Sequence, residues 1–145
     1  YISEEWDSES NWKILPIYGS KNIVEGQYGI EWEMLAGMLW KCWSNLWELV
    51  FNHFDFDKVD IVAFSRLMAG QELKHHQHDE REYGDNLIFP MAVDIPYGDV
   101  GIESSCGWQQ WKKPGEWIVF DPRETHSAWN RTDGERVVLY INFKP

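Results

Sequence analysis

Apolar and polar positions alternate along most of this chain, and the period of the alternation changes once. From Glu31 to about Phe51 the residues Trp32, Leu35, Leu39, Trp43, Leu46, Trp47 and Val50 recur at helical spacing. That spacing predicts one long amphipathic helix over about 31–51, weakened locally by Gly37, whose Trp and Leu stripe packs on a sheet. After Asp57 the period falls to two. Val59–Leu67, Leu73–His78, Leu87–Ile95 with an interruption at Pro90, Val100–Ser105, Trp117–Phe120 and Val137–Phe143 read as strands. Gly70, Gly84, Pro96-Tyr97-Gly98, Pro114-Gly115 and Asp133-Gly134 punctuate them as turns. Ahead of the helix, Trp12–Tyr18 reads as an extended segment that Pro16 confines to a sheet edge. Short strands at this spacing after a single helix predict an all-β sandwich or barrel with an N-terminal helical buttress. The strands do not alternate with helices, so a parallel α/β sheet is not expected. A chain of 145 residues has room for one core, and a single domain is expected over 1–145, with its barrel over about 58–145.

Composition narrows the partners. Ten Trp, six Tyr and seven Phe favour large packed surfaces. Thirteen Lys and Arg against 24 Asp and Glu give a net charge of −11. That lacks the basic footprint a nucleic-acid binder needs and argues against an anionic membrane surface. It leaves open one small anion held by a local Arg. No apolar run approaches the ~20 residues of a membrane span, and no signal-peptide pattern is found, so a cytoplasmic protein is expected. Cys42 and Cys106 form no CxxC pair and are expected to be buried thiols in a reducing compartment.

The five histidines carry the chemical signal. Three sit in Leu73-Lys74-His75-His76-Gln77-His78. Alternation in a strand puts His76 and His78 on one face and His75 on the other, and two imidazoles so spaced can grip one metal ion. Glu80 shares that parity and Glu82 lies close by. His126, on a distant strand, would complete the site. Such ligands with open positions suit Fe(II), and also Mn, Ni or Zn. The bland alternative is a solvated, His-rich edge strand. The run Gly70-x5-His76-x-His78-x3-Glu82 fits the first cupin motif as far as its Glu, with Phe89 where a later Gly is expected. Gly115, His126 and Asn130 keep the register of the second motif, with Asp121 and Arg123 where Pro and Gly are usual. These motifs specify the barrel as a double-stranded β-helix, a cupin-like jelly roll. Asn130-Arg131-Thr132 also matches an N-glycosylation pattern, which gets no weight beside a proposed ligand.

A closer likeness runs through Phe64-Ser65-Arg66-Leu67-Met68-Ala69-Gly70 and Leu73-Lys74-His75-His76. It continues in Trp111, Gly115, Val119-Phe120-Asp121, His126-Ser127-Ala128-Trp129-Asn130 and Arg136-Val137-Val138-Leu139, and reaches back to Trp12–Gly19. The chain resembles the aspartyl/asparaginyl β-hydroxylase family of Fe(II)/2-oxoglutarate oxygenases. The resemblance implies that His76 and His126 bind iron, and that Arg136 pairs with the distal carboxylate of 2-oxoglutarate with help from Ser65. An always-charged bidentate guanidinium suits that role better than Lys. Where the family usually has Gly, and related oxygenases Asp, this chain has His78. It is either a third ligand or a pocket residue beside a two-histidine centre. A second basic residue expected near Leu87–Pro90 is missing.

The resemblance thus implies a dioxygenase that uses Fe(II), 2-oxoglutarate and O2 to hydroxylate an amino-acid side chain, free or within a peptide. Two rival readings stand beside it. One is a cupin-like metalloprotein that uses no 2-oxoglutarate, with His76, His78, Glu82 and His126 as ligands. The other is a non-catalytic small-molecule binding module.

Overall fold

The computed structural model describes residues 12–19, 48, 52–78 and 84–145. Apart from Glu48, the expected helix lies outside the described residues, as do Glu80, Glu82 and Cys42. The elements run β1 (Trp12–Gly19), β2 (Val59–Leu67), β3 (Glu72–His76), β4 (Leu87–Asp94), β5 (Val100–Ser104), β6 (Gly107–Gln110), β7 (His126–Asn130) and β8 (Arg136–Phe143). They form two four-stranded sheets, ordered β1-β2-β8-β4 (sheet A) and β3-β7-β5-β6 (sheet B), with antiparallel pairing throughout. This is the expected jelly roll.

Alternation explains which residues line its interior. Ile88 and Ala92 of β4 and Val138 of β8 meet Val100 and Ile102 of β5 and Ala128 of β7, with Trp111, Ile118 and Phe120 from the connections. On the other face of sheet A, Val59, Val62, Leu139 and Ile141 cluster with Phe54, Phe64, Phe89, Met91 and Phe143. Strands β2 and β8 are therefore apolar on both faces. Leu139 and Ile141 are fully buried, and each such burial is worth about 1.5–3 kcal/mol.

Several boundaries differ from expectation, each for a local reason. Strand β4 runs unbroken through Pro90. The missing proline N–H is felt at the edge instead. There Ile88 and Ala92 donate to Phe120 and Glu116, and Pro90 between them cannot donate. The expected strand Trp117–Phe120 is accordingly held by isolated bridges, Ile88 to Phe120 and Met91 to Trp117. Pro16 does lie on an edge strand, next to a register shift between Pro16 and Tyr18. Strand β6, short and mostly exposed, was not expected. It makes Cys106 an exposed thiol in the β5–β6 turn, contrary to the expected burial. Asn130 of the apparent glycosylation pattern is fully buried, and its Nδ2 donates to the carbonyls of Leu67, Met68 and Gly134. It is a clamp that joins the ends of β2, β7 and β8.

Candidate metal centre

Strand β3 shows how the sequence builds the site. Leu73 pairs with Ala128 and His76 with His126, although the intervals differ by one residue, so β3 carries a bulge at Lys74-His75. The bulge lets Leu73 pack on the core while His76, three residues later, also turns inward. His75 is left outside, where its Nε2 lies 3.0 Å from Glu103 Oε2. The expected strand Leu73–His78 is shorter, because the ladder ends at His76. His78 is held all the same: its backbone N–H donates to Pro122 O at 2.8 Å.

One ligand atom from each of His76, His78 and His126 lies within 4.8 Å of the others. The ring centroids are 4.3 Å (His76–His126), 5.2 Å (His76–His78) and 5.1 Å (His78–His126) apart, the last pair stacked. Phe120 packs at 4.6 Å on His126. His126 is buried and the other two partly so. The Nδ1 of His76 lies 2.7 Å from Lys74 O, and that of His126 lies 2.7 Å from Glu124 O. A carbonyl only accepts, so both Nδ1 atoms carry the proton and Nε2 is the lone-pair nitrogen of each ring. Orienting one ring nitrogen on a carbonyl is how metal-binding imidazoles are commonly fixed. Burial first, then the neighbouring His126 and His76, pushes the His78 pKa down to about 3. Burial likewise lowers that of His126 to about 4, against the opposing pull of its Glu124 contact. Both rings are neutral at pH 7, as ligands must be. Three imidazole nitrogen donors fit a first-row transition metal ion.

Arg136 begins β8 on the face that carries Val138 into the interior. It is 2% exposed. Its Nη2 donates to Ser65 Oγ at 3.3 Å, and its guanidinium lies 5.6 Å from the Trp111 ring centre. Ser65 Oγ also accepts from Trp12 Nε1 at 3.0 Å. No carboxylate pairs with Arg136 among the described residues, and its buried Nε makes no hydrogen bond. Burial lowers its pKa to about 10, so it stays charged at pH 7. An uncompensated buried guanidinium is costly unless an anion joins it. Where the second basic residue was missing, Ile88 and Pro90 are buried and apolar.

The sequence-predicted residues thus assemble as two groups: His76, His78 and His126, and Arg136 with Ser65. Three supports were not foreseen as such. Pro122 pins His78, Trp111 underlies Arg136, and the bulge turns His76 inward. Only Trp111 left a trace in the sequence, as part of the resemblance.

The comparisons agree with the fold. A cupin domain of an XRE-family transcriptional regulator from Enterobacter cloacae superposes with a TM-score of 0.52 at 12% identity, covering 94% of this chain and 99% of that one. KdgF from a Halomonas species superposes with a TM-score of 0.51 at 11% identity, covering 96% and 86%. In sequence, an ornithine lipid ester-linked acyl 2-hydroxylase of Rhizobium tropici is 29% identical over 87 residues, 57% of this chain. The matched stretch is 28% of that relative's length. Among the described residues no helix is long and apolar enough to cross a membrane. The aspartyl/asparaginyl beta-hydroxylase family model matches residues 3–145, and the chain belongs to that family.

Proposed function

We propose that this chain is an Fe(II)- and 2-oxoglutarate-dependent dioxygenase that hydroxylates an amino-acid side chain, free or peptide-bound. The observation that carries the reading is Arg136: a buried cation with no counter-ion among the described residues, in the same barrel as His76, His78 and His126. A dicarboxylic keto acid suits both groups. Its distal carboxylate would be held by Arg136 and Ser65, and its keto-acid end would face the ion on His76 and His126. When bound, the metal and the keto acid supply the oxidation itself: O2 and 2-oxoglutarate are consumed, succinate and CO2 leave, and one oxygen atom enters a substrate C–H bond.

The protein's own part is placement. The carbonyls of Lys74 and Glu124 fix two imidazoles in the lone-pair tautomer. Ser65 and Trp111 hold the guanidinium in one orientation. Phe120, Ile118 and Val138 keep the lining dry, which strengthens the charge pairing at Arg136.

Two observations favour other versions. The apolar stretch Ile88–Pro90, without a second basic residue, favours a cupin-like metalloprotein that takes no keto acid. The name of the Rhizobium relative favours an acyl chain as substrate in place of an amino acid.

The test is anaerobic titration of the Fe(II)-loaded protein with 2-oxoglutarate, read by the visible charge-transfer band of the chelate. The band is expected in the wild type and absent in His126→Ala and Arg136→Ala. Bound metal with no band would reject the keto acid. Succinate release on adding Asp- or Asn-containing peptides, against lipids with an unhydroxylated ester-linked acyl chain, then separates the substrates.

A further inference from the structure

The outward face of sheet B carries a second, separate feature. A groove of about 420 Å³ crosses all four of its strands, on the side of β7 away from His76, His78 and His126. That volume lies within the usual range of small-molecule sites. Its floor is low because the outward positions at its centre are small. Ser127 stands opposite Glu103, and Gly101 stands opposite Trp129. A Cβ on Gly101 would run into the Gln109 carbonyl and the Trp129 ring, so the glycine is what lets the indole lie on the sheet.

The end wall is prearranged. Asp99 accepts from Trp129 Nε1 at 2.6 Å, Gln110 Nε2 at 2.6 Å and Arg131 Nη1 at 3.2 Å. Arg131 also donates to Glu72 at 2.6 Å and covers the Trp129 ring at 5.1 Å. Beside this wall stands Trp108, 64% exposed and edge-on to Trp129 at 6.2 Å. Nothing in the interior depends on it.

Apart from the exposed Lys74, the charges of the groove are matched among themselves. Arg131 answers Glu72 and Asp99, and His75 lies against Glu103. A cation would have to break a pair to enter, and an anion would meet three carboxylates with only the exposed Lys74 to hold it. An apolar one would strand Ser127, Glu103 and Gln110. What fits is a neutral molecule with one apolar face and a rim of hydroxyls that both give and accept hydrogen bonds. We propose that this groove binds a neutral sugar ring, stacked on Trp108 and hydrogen-bonded by Glu103, Ser127 and Gln110. The site is independent of the metal centre.

Calorimetric titration of the full chain with maltotriose, cellotriose, laminaritriose and chitotriose tests it, with a short oligolysine as the charged control. At least one saccharide should bind with a Kd of about 1 mM or tighter, little affected by salt, and Trp108→Ala should weaken it at least about tenfold. Glu103→Gln, which keeps the side chain's shape, should weaken the same saccharide less. His126→Ala should bind it as the wild type does. The proposal is overturned by no saccharide binding at about 10 mM, by undiminished binding in Trp108→Ala, or by loss in His126→Ala. Salt-sensitive capture of oligolysine alone would assign the groove to a cation instead.

Discussion

The two faces of β7 present opposite solutions to the same electrostatic problem. Inside, His126, Ala128 and Asn130 face an interior in which His78 and His126 are neutral and the buried cation Arg136 has no acidic partner among the described residues. Outside, Trp129 and its neighbours face a groove in which Arg131, Asp99, Glu72, His75 and Glu103 satisfy one another. Under the proposed function an anion and a metal cation complete the interior, while most charges of the outer face already have partners. Substitutions on the inner face should therefore act on metal and 2-oxoglutarate binding, and those on the outer face should leave that binding unchanged.

The largest effect is expected where the imbalance is greatest. Replacing Arg136 with Met removes the buried charge and keeps most of the volume. Affinity for 2-oxoglutarate should fall by about 2–5 kcal/mol, the usual loss when one partner of a buried charge pair is truncated. The ligand-free protein should melt at the same temperature or higher, because an uncompensated buried ion is itself a cost. Thermal unfolding with and without 2-oxoglutarate reads both. A variant that loses stability along with binding would mean that Arg136 has a structural partner and that the two faces do not differ.

Asn130 tests the inner face for structure without function. Its amide serves three backbone carbonyls at the joint of β2, β7 and β8. Asn130→Ala leaves buried acceptors unpaired at about 1–3 kcal/mol each. A loss of about 3 kcal/mol in urea unfolding is expected, larger than for a typical single substitution. Metal affinity measured in the residual folded protein should hardly change. A selective loss of metal binding would place Asn130 in the site.

What was legible in the chain follows the same division. The inward residues could be read because their chemistry is rare: three histidines near one strand, a lone His126, and Arg136 ten residues beyond it. The apolar runs located β2 and β8 to within a residue, because both strands are apolar on both faces. The bulge at Lys74-His75 was not legible, since a bulge is a property of the pairing with β7 and neither strand shows it alone. Simple alternation put His76 and His78 together and His75 outside. That came out right, but Leu73 and His76 both face inward only because of the extra residue. Strand β6 and the exposure of Cys106 were missed because Gly107-Trp108-Gln109-Gln110 has no apolar alternation to find. The groove was missed for a related reason. Its residues come from four strands, and no local pattern links Trp108 to Trp129, Gly101 or Arg131.

Packing of the outer face can be broken at Gly101. Ala at that position meets both the Gln109 carbonyl and the Trp129 ring. The closer of the two is backbone, so β6 must shift, and the indole must lift as well. Overpacking of this kind costs about 1–3 kcal/mol. The environment of Trp129 should change in near-ultraviolet circular dichroism, while the metal-binding stoichiometry stays that of the wild type. Equal disturbance of the metal centre would show that the faces are coupled through β7.

The smallest effect, and the sharpest statement of self-sufficiency, concerns Asp99. The Trp129 indole N–H above all holds its pKa below the usual 3.8, against the opposing effect of burial and with lesser help from the Gln110 and Arg131 donors. A carboxylate whose folded pKa is depressed contributes stability that is fully present above the unfolded value and disappears as pH falls through the folded one. The Trp129 indole N–H resonance should therefore hold its position from neutral pH down past 3.8 and move only below it. Asp99 is too open to solvent for the contribution to be large, so the readout is the midpoint of that curve and not a melting temperature. A midpoint at or above 3.8 would mean that the three donors do not converge on the carboxylate in solution. The groove wall would then be loose, and the outer face would no longer be the self-satisfied counterpart of the interior.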